Sequence, residues 1–368
     1  MTFSLIAGQT EAKSALRQMA QSGRAPHALM ICGPTGAGSL ALGVSMARAL
    51  LCARLSPGGD SCESCNSCRK TARYIHPDLH FSFPTVGANA LSSESLPLWR
   101  QALADNPLMA PARWLQILGA ENKQGNITRN ECQSILQKLS LTSVEARAKV
   151  LLMWLPEYLG KEGNRLLKMI EEPPENTYFI LICEQLEAIL PTVLSRCQLV
   201  RAPLLSDEEV RGYLQERLHL GPEQAARIAF LAEGDLNRAI ELTQNETQDN
   251  SEQLLDWLRK CWRGYGPDLV KWTEQFAAMG KENQKQFFVY GLHFLRELLI
   301  LRNVPDSAVR LQESEQLTAI NVNKVLDLEK IAQIARIFDQ NLYYAERNAN
   351  PKIMLMNTSV KVHQLLKS

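Results

Sequence analysis

The chain has 368 residues, 45% of them hydrophobic and 21% charged, proportions that suit a globular protein with two or three domains. Its formal charge is +1, so no overall basic field marks a nucleic-acid or membrane surface, and any DNA contact is expected to be local or shared with partners. The start, MTFSLIAGQTEAKSAL, lacks the basic residues and apolar run of a secretory signal, and no charge-free apolar run is long enough to span a bilayer. Nine cysteines in a chain read as cytoplasmic favour reduced thiols and a metal site over a disulfide framework.

The first 200 or so residues alternate strand-like and helix-like patterns. His27 to Cys32 (HALMIC) is a short apolar run that ends in the glycine-rich turn Gly33-Pro-Thr-Gly-Ala-Gly38. A helical pattern follows from Leu40 to Leu51. Lys149–Leu155 (KVLLMWL) and Tyr178–Cys183 (YFILIC) are near-continuous apolar runs, as in buried parallel strands. Helices are expected between them, at Glu131–Leu141 and Gly163–Ile170 among others. Strands alternating with helices predict an α/β domain with a parallel sheet over residues 1–202.

After Pro203 the strand signal stops. Residues 203–245 predict a small helical domain, opened by a capping box from Ser206 to Glu209. Residues 244–252 are polar and predict a linker. Residues 246–368 predict a larger helical domain, with Trp257, Leu258, Trp262 and Phe287–Leu301 supplying apolar stripes.

The glycine-rich turn has the place of a phosphate-binding loop but not its chemistry. A working loop reads G-x-x-x-x-G-K-[ST], its lysine reaching the β- and γ-phosphates and its hydroxyl holding Mg²⁺. Here Gly33, Gly36 and Gly38 are followed by Ser39 and Leu40, which carry neither a cation nor a metal-binding hydroxyl at the right places. The strand that should end in an acidic pair ends instead in Trp154 and Leu155. A plain strand-to-helix turn is the alternative reading, but two defects at two matching places favour a decayed nucleotide site with no ATP bound.

Cys52, Cys62, Cys65 and Cys68 give C-x9-C-x2-C-x2-C within a turn-rich segment that has almost nothing apolar to fold around. Such spacing predicts one closed, structural Zn²⁺ site rather than a catalytic one. The other five cysteines are scattered. Cys32 and Cys183 lie in apolar runs and are expected to be small core residues. None of the six histidines makes a recognisable arrangement with a cysteine, so thiol catalysis is unsupported.

Several strings together resemble the bacterial clamp-loader family of AAA+ proteins, on its delta-prime side. They are Ile6-Ala-Gly-Gln9, Pro26-His-Ala-Leu29, the cysteine quartet after the helix that follows the glycine-rich turn, and His76-Pro-Asp78. Asn164-Arg-Leu-Leu-Lys-Met-Ile-Glu-Glu-Pro-Pro174 resembles the family's helix ending in E-E-P-P. Leu194-Ser195-Arg196-Cys197 matches its S-R-C motif, the most specific of these strings, and Asn348–Leu355 is similar to its last collar helix. The resemblance implies a RecA-like AAA+ domain with an inserted zinc module (about 52–75), a helical lid and an all-α collar. It implies a non-hydrolysing subunit of the DNA polymerase III holoenzyme, in a ring with gamma/tau and delta subunits, meeting the sliding clamp and primed DNA through that complex. Arg196, with Ser195 and Cys197, would then act in trans as an arginine finger on a neighbour's nucleotide. Gly234-Asp-Leu-Asn-Arg238 resembles the lid's sensor motif, and without a working loop Arg238 is expected to be a relic.

Residues 85–125 depart from the family, which commonly has a short link there. Trp99 and Trp114 are expected to cover a neighbouring core, with a partner surface as the alternative. Two other functions compete. A gamma-like ATPase would need Lys and Thr after Gly38. A zinc-dependent nucleic-acid binder would need a basic, aromatic-laced module, whereas 52–75 holds only Arg54, Arg69, Lys70 and Arg73.

Overall fold

A computed structural model describes residues 1–120, 123–244, 250–304, 311, 313–346 and 349–367. The chain forms two compact units, Met1–Leu242 and Thr243–Ser368. The first carries α1 (Thr10–Gln21), β1 (Ala28–Cys32), α2 (Ser39–Leu51), α3 (Asn66–Ala72), β2 (Leu79–Ser82), α4 (Leu96–Asp105), α5 (Pro111–Ile117), α6 (Arg129–Ser140) and β3 (Lys149–Trp154). It continues through α7 (Leu167–Glu171), β4 (Thr177–Cys183), α8 (Pro191–Leu194) and β5 (Gln198–Arg201) to α9 (Asp207–Leu218), α10 (Pro222–Ala232) and α11 (Leu236–Gln244).

The five strands pair in the order β2-β3-β4-β1-β5, every pairing parallel. β3 is buried along its whole length and β4 along nearly all of it, because helices cover both faces. The chain leaves β1 toward one edge and returns from β4 to the other. The carboxyl ends of β1 and β4 therefore flank the crevice where open α/β sheets hold their ligands.

The predicted strands and the α/β class are present. β2 and β5 were not anticipated: both are four residues long, and β5 alternates exposed and buried positions as an edge strand does. The predicted helix Gly163–Ile170 is replaced by a 3-10 stretch, Pro156–Leu166, that passes into the short α7. Gly160 at φ 49° breaks that stretch, a backbone conformation glycine adopts without strain. Cys183 is buried, but Cys32 is only half-buried at the crevice.

Residues 85–125 are helical over α4 and α5, with residues 121–122 outside the described ones. Trp99 and Trp114 are fully buried, so they cover core and offer no partner surface. Trp99 stacks on Phe83 at 4.4 Å and meets Trp154 at 5.1 Å, and Trp114 Nε1 donates to Pro84 O at 2.7 Å. A fully buried aromatic cluster of this size is among the larger single contributions to a core.

The helices α9–α11 have a small core of their own around Val210, Leu214, Ile228 and Ala229. The capping box is formed: Glu209 N donates to Ser206 Oγ at 3.2 Å and Ser206 N to Glu209 Oε2 at 2.8 Å. Of the polar stretch 244–252, residues 245–249 lie outside the described ones and the rest is helical, since α11 ends at Gln244 and α12 begins at Asn250.

The second unit is helical: α12 (Asn250–Arg263), α13 (Gly266–Ala278), α14 (Lys281–Asn303), α15 (Glu313–Asn323), α16 (Leu328–Glu346) and α17 (Pro351–Lys367). Trp257 lies at its centre against Phe287 and Phe338, its Nε1 donating to Ser359 Oγ at 2.9 Å. Asn348 of the string at 348–355 lies outside the described residues, and Pro351–Leu355 opens α17. No helix among the described residues is long and apolar enough to cross a membrane.

Candidate functional site

The glycine-rich turn joins β1 to α2, with Gly38 at φ 89° preceding the first helical turn. Bare amide groups at such a helix start would suit a phosphate. Here they are covered. Gly36, Ala37, Gly38, Ser39 and Leu40 are all buried, Ser39 at 8% and Leu40 at 4% exposure. Ser39 Oγ turns back to Gly33 O at 3.5 Å. Leu40 faces the core with Trp99, Trp154 and Leu155.

The cover is the chain itself. A Cβ added at Gly36 would fall 1.8 Å from Asp235 Oδ1, and Leu236 N donates to Gly36 O at 3.3 Å. The first turn of α11 therefore rests on the loop. Gln9 Nε2 donates to Ala37 O at 2.9 Å and to Pro203 O at 2.6 Å, tying the N-terminal segment to the loop and to the start of the helical group. From the 85–125 segment, Asn106 Nδ2 donates to Asn237 Oδ1 at 2.8 Å, and Leu108 packs against the small helical core and beside Gly38.

What remains open is a cavity of about 450 Å³ lined by Pro34, Thr35, Glu184, Gln185, Asp235 and Arg238, among others. Thr35 Oγ1 donates to Glu184 Oε1 at 2.6 Å across the carboxyl ends of β1 and β4. Burial raises the Glu184 carboxyl above its ordinary range, and nearby Asp235 adds to the rise while the Thr35 hydroxyl opposes it. Burial raises Asp235 as well, against the N–H groups of Arg238 and Asn237. The cavity thus carries two carboxyls beside Arg238, and an ionised carboxylate repels phosphate. Arg238 lines the same cavity, so the structure brings the Gly234–Arg238 string to the glycine-rich loop.

The four cysteines do converge. Their Sγ atoms all lie within 4.8 Å of one another, with Cys62–Cys68 at 3.9 Å and Cys52–Cys68 at 3.5 Å. A tetrahedral zinc with Zn–S near 2.3 Å separates its sulfurs by about 3.8 Å, so this donor set could hold a zinc ion. Backbone N–H groups point at the sulfurs: Cys62 N to Cys52 Sγ at 3.3 Å, Cys65 N to Cys62 Sγ at 3.4 Å and Cys68 N to Cys65 Sγ at 3.4 Å. The Ser64 hydroxyl and the Cys65 N–H bring the Cys62 thiol down to about 6, which favours the ligating thiolate, whereas burial raises Cys68. Asp60 anchors this module to the N-terminal segment, accepting from Phe3 N and from Arg17 Nη2, both at 2.8 Å.

Arg196 stands elsewhere, just after α8. Its side chain is 32% exposed, unlike the closed loop. The guanidinium Nε and Nη2 both meet Glu171 Oε1, while Nη1 donates to Thr192 O at 2.7 Å and to Ser195 Oγ at 3.2 Å. Cys197 is half-buried, and burial pushes its thiol up to about 11, which disfavours the thiolate. The stretch before Arg196 forms a 3-10 turn at Leu186–Ala188 and the single turn of α8.

Sequence reading missed Glu171, Glu184, Asp235, Asn106 and Leu108. Glu171 and Asp235 carried a usable signal, Glu171 standing in the E-E-P-P string 25 residues before Arg196 and Asp235 in the Gly234–Arg238 string.

A family model described as DNA polymerase III, delta subunit, matches residues 8–205. The chain is 25% identical over 283 residues to DNA polymerase III subunit delta′ of Bacillus subtilis, covering 76% of this chain and 72% of that one. It is 25% identical over 305 residues to subunit delta′ of Escherichia coli, covering 82% and 75%. Subunit tau of Escherichia coli is 27% identical over 259 residues, covering 69% of this chain but only 34% of tau. Matched by that model over more than half its length and aligned along most of it with two delta-prime subunits, the chain belongs to the DNA polymerase III delta subunit family and is a delta-prime-like clamp-loader subunit.

Proposed function

We propose that this chain is the non-hydrolysing member of a clamp-loader ring and supplies Arg196 in trans to ATP held by a neighbouring subunit. The observation that carries the reading is a contrast of exposure. The loop that would bind a nucleotide is buried under α11 and lacks its lysine, whereas the Arg196 side chain is part-exposed just after α8. Ser39, Leu40, Trp154 and Leu155 supply none of the groups that hold Mg²⁺ and the terminal phosphates. A guanidinium offers a fixed fork of donors to phosphate oxygens and keeps its charge at any working pH.

In this reading gamma/tau and delta subunits complete the ring, and the sliding clamp and primed DNA are met through the assembly in the cytoplasm. One structural Zn²⁺ on Cys52, Cys62, Cys65 and Cys68 holds the 52–75 segment. The test is steady-state ATPase and clamp loading by a reconstituted ring carrying Arg196→Ala. Arginine fingers are worth about 10³–10⁵ in rate at a single site, and a ring with several sites loses less. Both rates should fall while zinc content and assembly hold. Wild-type rates in both assays would leave Arg196 a structural residue.

A further inference from the structure

The three nitrogens of the Arg196 guanidinium are all engaged within the chain. Nε and Nη2 converge on one carboxylate oxygen of Glu171, and Nη1 is shared between the Thr192 carbonyl and the Ser195 hydroxyl. The two halves of the grip differ in kind. Thr192 O and Ser195 Oγ belong to α8 and the residue that ends it, and they fix where the side chain points without touching its charge. Glu171 is the last residue of α7, 25 positions earlier, and it neutralises that charge.

A guanidinium still paired to Glu171 would bring no net charge to a neighbour's nucleotide, and would set a carboxylate beside the phosphates. Its stabilisation of charge developing on a departing phosphoryl group would be largely cancelled. The pair has to open before the arginine can act in trans.

We infer that Glu171 is a latch on Arg196: it holds the guanidinium on its own subunit while the ring rests, and releases it when the assembled ring draws the arginine to a phosphate. The latch rests on the trans-acting reading of Arg196. The geometry suits a reversible hold. Both side chains are part-exposed, Arg196 at 32% and Glu171 at 44%, so water stabilises the separated ions and opening is easy. Thr192 O and Ser195 Oγ stay in place when Glu171 lets go, so the freed arginine keeps its position. Glu171 is a positioning residue in this scheme and does not contact the nucleotide.

The test is ATPase by the reconstituted ring, with and without clamp and primed DNA, carrying Glu171→Gln or Arg196→Ala. Glutamine keeps the size and one acceptor oxygen but removes the charge. An exposed ion pair is weak enough that its loss should raise the resting rate by about two- to fivefold. The stimulated rate should stay near wild type, so the stimulation ratio shrinks. The double variant, with Arg196→Ala added, should show no rise, and Glu171→Asp should restore part of the latch. If Arg196→Ala lowers the stimulated rate but Glu171→Gln leaves the resting rate unchanged or lower, the latch falls and the trans-acting reading stands. If Arg196→Ala changes neither rate, both fall.

Discussion

The glycine-rich loop and the S-R-C turn both lie in the sheet domain, and both carry strings typical of nucleotide-handling proteins, yet they have opposite fates. At the loop, residues 36–40 are all buried. Ser39 bonds the loop's own carbonyl, Leu40 joins the core, and Asp235 fills the space against Gly36. At the turn, a charged side chain stays part-exposed with its guanidinium held in a fixed orientation. Packing and polar pairing cover residues 36–40 of the loop, as expected where buried polar groups without partners are costly, and leave a cavity of about 450 Å³ lined by Thr35, Glu184, Asp235 and Arg238 beside it. A part-exposed arginine is under no such pressure, since water and its partners Glu171, Thr192 and Ser195 satisfy it at the surface.

The contrast can be tested at each end. The largest effect should come from neither. Cys65→Ser should abolish zinc binding, measured by metal analysis, and disorder residues 52–75, because that segment has little apolar surface of its own. The sheet domain should stay folded, and the Arg196 turn with it. Metal content near one equivalent in the variant would break the four-thiol site.

Next in size is the aromatic cluster around Trp154. Trp154→Ala removes the ring that meets Trp99 at 5.1 Å and should cost about 3–5 kcal/mol in denaturant unfolding of the first unit. A loss below about 1 kcal/mol would mean that Trp154 is dispensable to the core.

The smallest effect concerns the closure of the cleft. Asn106→Ala removes the bond to Asn237 and should cost about 0.5–1.5 kcal/mol. Amide hydrogen exchange should quicken in α11 and at the glycine-rich loop but not around α8. Equal exchange in both forms would show that the 85–125 segment does not brace the small helical group.

Much of this was legible in the chain. The apolar runs at β1, β3 and β4 are long and continuous enough to read, and the overlapping C-x2-C pairs give three of the four thiols by spacing, with Cys52 separated from them by nine residues. β2 and β5 escaped because four residues of mixed polarity carry no periodic signal; their pairing with β3 and β1 makes them strands. The defects at Ser39, Leu40, Trp154 and Leu155 were readable one by one. What fills the cleft was not, since Asn106 meets Asn237 and Gly36 meets Asp235 across long stretches of chain. The same holds for the grip on Arg196: both partners stood in noticed strings, and only the fold brings them together.

The central claim is that this chain's own glycine-rich loop, buried and without its lysine, holds no ATP, leaving Arg196 as its contribution to nucleotide chemistry. Calorimetric titration of the purified chain with ATP, in the presence and absence of Mg²⁺, tests it most directly. No saturable heat at ligand concentrations up to the millimolar range, with or without the metal, is the predicted result. Micromolar affinity that depends on Mg²⁺ would contradict it, because neither the closed loop nor the carboxyls of Glu184 and Asp235 could then have the roles assigned to them.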